Sequence, residues 1–432
     1  MRVILASLLL AAALFSGCAS TNEDGTSTTG PGGPASLDDR RHVATFQGLE
    51  GPASGLEFVA RLNDGELPFA TGSGNFVLGD FVYGSALGSG FFIADVRDPA
   101  NPILAYKADT EGETDYARKA EVVAHADGRL TLVLANGGRT IQTWDVTDPY
   151  HPVFGATLDV ERNHYIAQVP GTSIAVSSPS SGADGTNTFV DVSDPANPRI
   201  VGTYGKYGCH GVTFRGSLGE GKFRGYCAGV DATEIWNMDG FDATASGLGI
   251  TVVATVGQTD NPLIGAGGLH HLATTNDDGT MLIIGDEFSG GGQPGACLAS
   301  VDAMGRTVST PLGALWFYDV TEETSPVLRG SITPPTMLPF SPTTPPADPL
   351  GLTGTEGAGC TAHFGQVIPG TSQIVIAWYN AGVLLIDFSD PTNPTILSQY
   401  QGTGGDVWSA RVQNGYVFTG DIGRGMDVLQ LV

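Results

Sequence analysis

Two nine-residue stretches repeat a histidine at one spacing. "NHYIAQVPG" (163–171) and "AHFGQVIPG" (362–370) each place it six residues before a proline and seven before a glycine. "CHGVTFRG" puts His210 in the same slot, and "LHHLATTNDDG" puts His271 there with one extra residue before its turn. His270 takes the slot if that alignment moves by one. Glu121 of "EVVAHADG" and Trp408 of "VWSARVQNG" stand at the spacing in two further segments. His42, His125 and His151 fall outside it and read as surface residues. Three or four imidazoles drawn together would ligate zinc, copper or iron, because borderline metals favour nitrogen donors. Asn136, Asp286, Glu287, Asn380 and Asp421 close the apolar runs that follow and are placed to orient ring N–H groups from behind. The other reading is structural: a polar residue recurring at strand starts that hydrogen-bonds neighbouring carbonyls.

What must position these residues is a repeat. "FFIADVRDPANPILAYKAD" begins at Phe91, "IQTWDVTDPYHPVFGATLD" at Ile141, "TFVDVSDPANPRIVGTYG" at Thr188, "LWFYDVTEETSPVLRGSI" at Leu315 and "VLLIDFSDPTNPTILSQYQ" at Val383. Each is an apolar strand ending in Asp, a turn of the form D-P-x-x-P (E-E-T-S-P in the copy at Leu315) and a second strand. Proline fits there because a turn needs no ladder N–H, and the Asp carboxylates cap the turn. "EIWNMDGFD" (234–242) is a degenerate copy and "GMDVLQLV" a truncated one, which makes seven. Taking Asp427 as the strand-ending Asp of the last copy, most copies are spaced as four-stranded propeller blades are. The longer intervals hold Gly/Pro-rich inserts at Gly290–Pro311 and Pro334–Gly359. Between copies there is room for two more strands, so each blade runs inner strand, second strand, D-P strand, outer strand.

The last copy lacks an outer strand, and an uncovered edge is a liability. "LEFVARLND" (56–64) supplies one unattached strand. The expected fold is therefore all-β: a seven-bladed β-propeller of four-stranded antiparallel blades, its ring closed by an N-terminal strand. An open stack or two smaller domains is the alternative. Trp144, Trp236, Trp316 and Trp378 fall in strand patterns and should pack between blades.

With D-V-x-D-P-x-N-P turns through nearly all the sequence after residue 56, the chain resembles the LVIVD-repeat family of bacterial and archaeal surface propellers. That resemblance implies the propeller and a surface location. In layout, and in its "CH" and "HH" dipeptides, the chain is also similar to the selenium-binding protein family of methanethiol oxidases, propellers with histidine-bound copper.

"MRVILASLLLAAALFSGC" reads as a signal segment whose apolar run is too short to span a bilayer. Ser16-Gly17-Cys18 resembles a lipobox, with Phe15 where leucine is usual; an ordinary signal peptide is the other reading. The expected organisation is a signal peptide at 1–17, a flexible lipidated tether at 18–40 and one propeller at 41–432. Ala19 and Ser20 give no inner-membrane retention signal, so an outer-membrane or cell-surface site follows. Cys209, Cys227, Cys297 and Cys360 are an even set in an exported chain, which favours disulfides over zinc in the absence of any CxxC pair. Cys209 and Cys227 flank a hairpin turning near Leu218.

Forty-five acidic residues against twenty basic ones give a net charge of −25, which repels nucleic acid and attracts cations. There is no G-x-S-x-G, no H-E-x-x-H and no Walker loop. Two functions remain open: a membrane-anchored binding or scaffold module that grips a protein or glycan with its top-face loops, or a copper- or zinc-dependent oxidoreductase working at a histidine ring.

Overall fold

The structure, a computed structural model, describes residues 52–62, 76–86, 90–108, 117–179, 185–257, 269–287, 313–334, 361–402, 405–422 and 424–432. Cys18, His42, Cys297, Cys360 and the segment proposed as tether lie outside these residues. Among the described residues, no helix is long and apolar enough to cross a membrane.

Seven four-stranded antiparallel sheets follow one another along the chain. The third strands read as near-continuous apolar runs because blades cover both their faces. Phe91, Phe92 and Ile93 have no exposure, and the same holds for Leu384, Leu385 and Ile386. Outer strands alternate instead, as Thr395–Tyr400 does, with one face in solvent. Apolar clusters fill the interfaces, for example Val123, Val133 and Ile141 against Ile166, Ala175 and Val190 between blades two and three. Trp144, Trp236, Trp316 and Trp378 are all buried.

The D-P turns explain their own spelling. Asp145, Asp191 and Asp387 end their strands, and each accepts the backbone N–H two residues on at 2.8–2.9 Å. The second Asp of each turn repeats the bond three residues later: Asp148 accepts from Tyr150, Asp194 from Ala196 and Asp390 from Thr392. Each turn then packs on the preceding blade. The Pro195 carbonyl comes so near Gly155 that a Cβ there would lie 2.1 Å from it, and Pro391 stands likewise 2.3 Å from a Cβ at Gly330. Glycine is required in those outer strands by close approach, not by a turn.

Six blades list their strands in chain order; the seventh does not. Leu56–Leu62 pairs antiparallel with Met426–Leu431, from Leu56 opposite Leu431 to Leu62 opposite Met426. Asp427, which the repeat pattern put at a strand end, lies second in Met426–Leu431. The count fails because no D-P turn stops this strand, which runs on to meet its partner. Fully buried, Asp427 accepts from Arg61 Nε at 2.5 Å, Arg424 at 2.8 Å and the Tyr400 hydroxyl at 3.0 Å. Ions and hydrogen bonds thereby clamp the joint between the two ends of the ring.

The joint should dominate stability. Asp427→Ala leaves Arg61 and Arg424 without their shared anion and should cost about 3–5 kcal/mol in urea unfolding. Removing residues 1–65 should lower the melting temperature far more than removing 1–40, and equal melting temperatures would refute closure by this strand.

Candidate functional site

The slot occupied by the recurring histidine has a backbone definition. His164 N–H donates to Ser178 O at 2.6 Å, His210 to Ala228 O at 2.6 Å and His363 to Ala377 O at 2.9 Å. In each case the residue ahead of the inner strand is pinned to the end of the second strand. In blade five the same result is reached by a bulge: His270 pairs with Asp286, Leu272 with Gly285, and His271 is passed over. Trp408 is passed over likewise in blade seven, between Val407 and Ser409. A bulge re-aims one side chain without moving the rest of its strand.

The four imidazoles meet, as neighbours in an arc on consecutive blades. Ring centroids lie 4.4 Å apart for His164 and His210, 4.4 Å for His210 and His271, and 4.1 Å for His271 and His363. Glu287, the residue after Asp286, reaches the same place. Its Oε2 stands 3.6 Å from His210 Nε2 and 3.5 Å from His271 Nε2, and its Oε1 3.5 Å from His363 Nε2. The Tyr379 hydroxyl donates to Oε1 of Glu287, and Nδ1 of His363 is bonded to the Trp408 carbonyl. His164 keeps part of its surface open, whereas His210, His271, His363 and Glu287 are buried.

Burial sets the protonation. It pushes His210 and His363 down to about 3, with the charge of Arg118 adding to both and the Trp408 carbonyl opposing for His363. His164 and His271 fall well below their ordinary value through burial and then their histidine neighbours. Burial pushes the Glu287 carboxyl up to about 8, against the Tyr379 hydroxyl and Arg118. The imidazoles are therefore neutral, with lone pairs available to an electrophile.

Other residues of the sequence pattern have other work. Glu121 is not in the arc: one oxygen takes Lys119 Nζ at 2.6 Å and the other the Gln168 N–H at 3.1 Å. The slot in its blade belongs to Arg118, whose N–H donates to Ala135 O at 2.7 Å. Counting back from the glycine failed because Lys119–Ala124 has six residues where Tyr165–Gln168 has four. Asp286 and Asp421 hold backbone rather than ring N–H groups. Asp286 accepts Leu269 N–H at 2.8 Å and Asp421 accepts Asp406 N–H at 3.1 Å, each fixing the approach to a bulged inner strand.

Asn136 donates to Thr140 Oγ1 at 3.3 Å, and the Asn380 carbonyl accepts from Gln401. His125 is buried, not superficial, bonding Ser173 and Thr131 at 2.8 Å each, and His270 bonds Thr233 at 2.9 Å. His151 is exposed beside Asp148. Cys209 and Cys227 form a disulfide, Cα atoms 5.1 Å apart, which ties the residue before His210 to the second strand. Tyr379 escaped the sequence reading; its one signal was that it, like Glu287, just follows a second strand.

Seven antiparallel blades with polar side chains gathered at one end of the inner strands define a β-propeller of the kind suited to binding or scaffolding. Residues 76–110, 183–205 and 374–402 match the LVIVD repeat, so this propeller is one that carries LVIVD repeats. No curated protein matches the sequence. Solved structures of similar fold include U3-55K, at 11% identity and TM-score 0.54, covering 88% of this chain and 100% of that one. The RRP9 WD40 repeats match at 11% identity and TM-score 0.53, over 90% of this chain and 100% of theirs. Sqt1 of Saccharomyces cerevisiae matches at 10% identity and TM-score 0.52, over 84% and 82%. At such identities the likeness is of fold.

The neutral imidazoles give a signed pH dependence. His363 has a folded-state pKa of about 3 against an ordinary 6.5, so the unfolded chain takes up its proton first. The stability this residue contributes is present above pH 6.5 and is lost as the pH falls toward about 3. In chelator, His363→Gln should therefore show a shallower loss of stability on acidification than the parent, by up to about 1.4 kcal/mol per pH unit. Parallel slopes in urea titrations at stepped pH would contradict this.

Proposed function

We propose that the protein is an exported, lipid-anchored binding module whose working face is the end of the propeller where the histidines gather. The observation that supports this is one of connectivity. At the opposite end, the described D-P turns and hairpin turns are short and tightly bonded. The chain leaves the described strands and returns over 258–268, 288–312 and 335–360, and all three intervals join strands at the histidine end, around blade five. Binding residues concentrate on such connections when a rigid scaffold presents them. Propellers generally mediate protein interactions, and a protein or glycan partner fits a platform of this size better than a small substrate does. The excess of acidic residues disfavours nucleic acid and favours a partner with basic groups.

Lipid anchoring rests on Ser16-Gly17-Cys18 and the apolar run before it. Cys18→Ser should move the protein from the membrane fraction to the soluble exported fraction; unchanged membrane association would count against the anchor. The face is tested by photo-crosslinking residues. Installed on intact cells at exposed Arg162 or Lys206, they should yield discrete adducts, and at exposed Ala196 or Asp390, on the D-P turns, they should not. Adducts confined to the D-P positions would overturn the assignment of the face.

A further inference from the structure

We propose that His210, His271 and Glu287 bind one divalent first-row transition-metal ion, with zinc the best fit, and that His363 supplies the fourth protein position. This inference stands apart from partner binding, since it rests on the interior of the arc alone.

The geometry comes first. One nitrogen each of His210 and His271 and one Glu287 oxygen all lie within 4.8 Å of one another, and His363 Nε2 faces the other carboxyl oxygen of Glu287. An ion with bonds of about 2.0–2.2 Å to nitrogen and oxygen needs tetrahedral ligand atoms about 3.3–3.6 Å apart. The Glu287 oxygens stand 3.5–3.6 Å from the Nε2 atoms of His210, His271 and His363. Those separations are long for direct hydrogen bonds and right for atoms that share an ion.

Satisfaction comes second. His271 has no exposed surface, and neither of its ring nitrogens has a hydrogen-bond partner. Buried polar groups are paired in native proteins with few exceptions, and an exception asks for a reason. Another histidine shows what a structural role looks like here: His125 uses both ring nitrogens on hydroxyls at 2.8 Å. His270 uses Nδ1 on Thr233 at 2.9 Å and leaves only its buried Nε2 without a hydrogen bond, whereas His271 leaves both nitrogens so. His271 could have been satisfied in the same way by a serine or threonine. It faces histidines and a carboxyl group instead.

Orientation comes third. With Nδ1 of His363 donating to the Trp408 carbonyl, its Nε2 is left as the bare acceptor, and that atom is the one directed at Glu287. A ligand imidazole is fixed from behind by this kind of bond. Asp286 performs the corresponding service on the backbone beside His271, and the Cys209–Cys227 disulfide does so beside His210. The donor set then chooses the ion. Calcium and magnesium want more oxygens than a single carboxylate gives, and copper(I) wants sulfur, whereas nitrogen with one carboxylate suits zinc, iron(II) or cobalt(II).

The test uses the full chain, purified without a histidine tag and stripped with chelator. Cobalt(II) should enter stoichiometrically, one ion per chain, with the intense visible bands of a four-coordinate site. Zinc(II) should displace it, and excess calcium(II) should not. His271→Ala and Glu287→Gln should each weaken zinc binding by at least the roughly ten- to hundredfold that losing a ligand's supporting partner costs, while His151→Ala leaves it unchanged. Glu287→Gln keeps the side chain's volume, so it remains informative if His271→Ala folds poorly. At one fixed zinc concentration, the metal should raise the melting temperature of the parent by more than that of Glu287→Gln. Absence of visible bands, displacement by calcium, or uptake unaffected by Glu287→Gln would each overturn the site and leave the arc a structural one.

Discussion

Everything in this molecule depends on one pairing across the length of the chain. Ser54 and Gly55 meet Val432, 378 positions away in the case of the Ser54 hydroxyl bond, and the seven residues that follow complete the seventh blade. A four-stranded blade is weak alone, because each of its faces needs a neighbour. With the ring shut, each blade has two. The buried Asp427 makes the joint specific as well as adhesive: it takes Arg61 from the incoming strand and Arg424 from its own blade, and an offset of one residue would strand those charges.

The shared axis of the blades is what creates the site. His164 and His363 are 199 residues apart in number yet share an arc, because every inner strand starts at the same end of the same axis. Four imidazoles and a carboxyl group would repel and solvate one another on a flexible chain. Here the inner strands hold the imidazoles uncharged, with ring centroids 4.1–4.4 Å from neighbour to neighbour and only His164 partly open. The free energy for this comes from the apolar interfaces behind them, where residues such as Trp236, Trp316 and Trp378 have no exposure.

Much of the fold was legible because the D-P-x-x-P turn is local. Its two Asp carboxylates, its prolines and its strand flanks act within a dozen residues, so seven copies and a missing outer strand could be read off directly. The histidine slot was half legible. It shows in the sequence where the inner strand has one length, and it is lost where length changes, so that Glu121 was read where Arg118 stands. Tyr379, the Trp408 carbonyl and the placement of Glu287 against three Nε2 atoms belong to the contact between blades, about which no single repeat carries information. His125 was misread for a related reason: Thr131 lies in its own blade, but its other partner, Ser173, lies on the next one.

The closing strand carries a consequence for the order of assembly. Its partner, Met426–Leu431, is separated from it by six whole blades, so the pairing has one of the highest contact orders the chain allows. Loop-closure entropy of that size makes it a late event in folding. Until it happens, the molecule is an arc whose last blade presents Met426–Leu431 as an open strand edge. Open edges recruit strands from whatever chain is near. A second copy whose Leu56–Leu62 is also unpaired offers the very sequence the edge is built to accept. Crowding during maturation should therefore convert a fraction of the protein into strand-exchanged dimers, whose blades are native and whose only fault is which chain closes which ring.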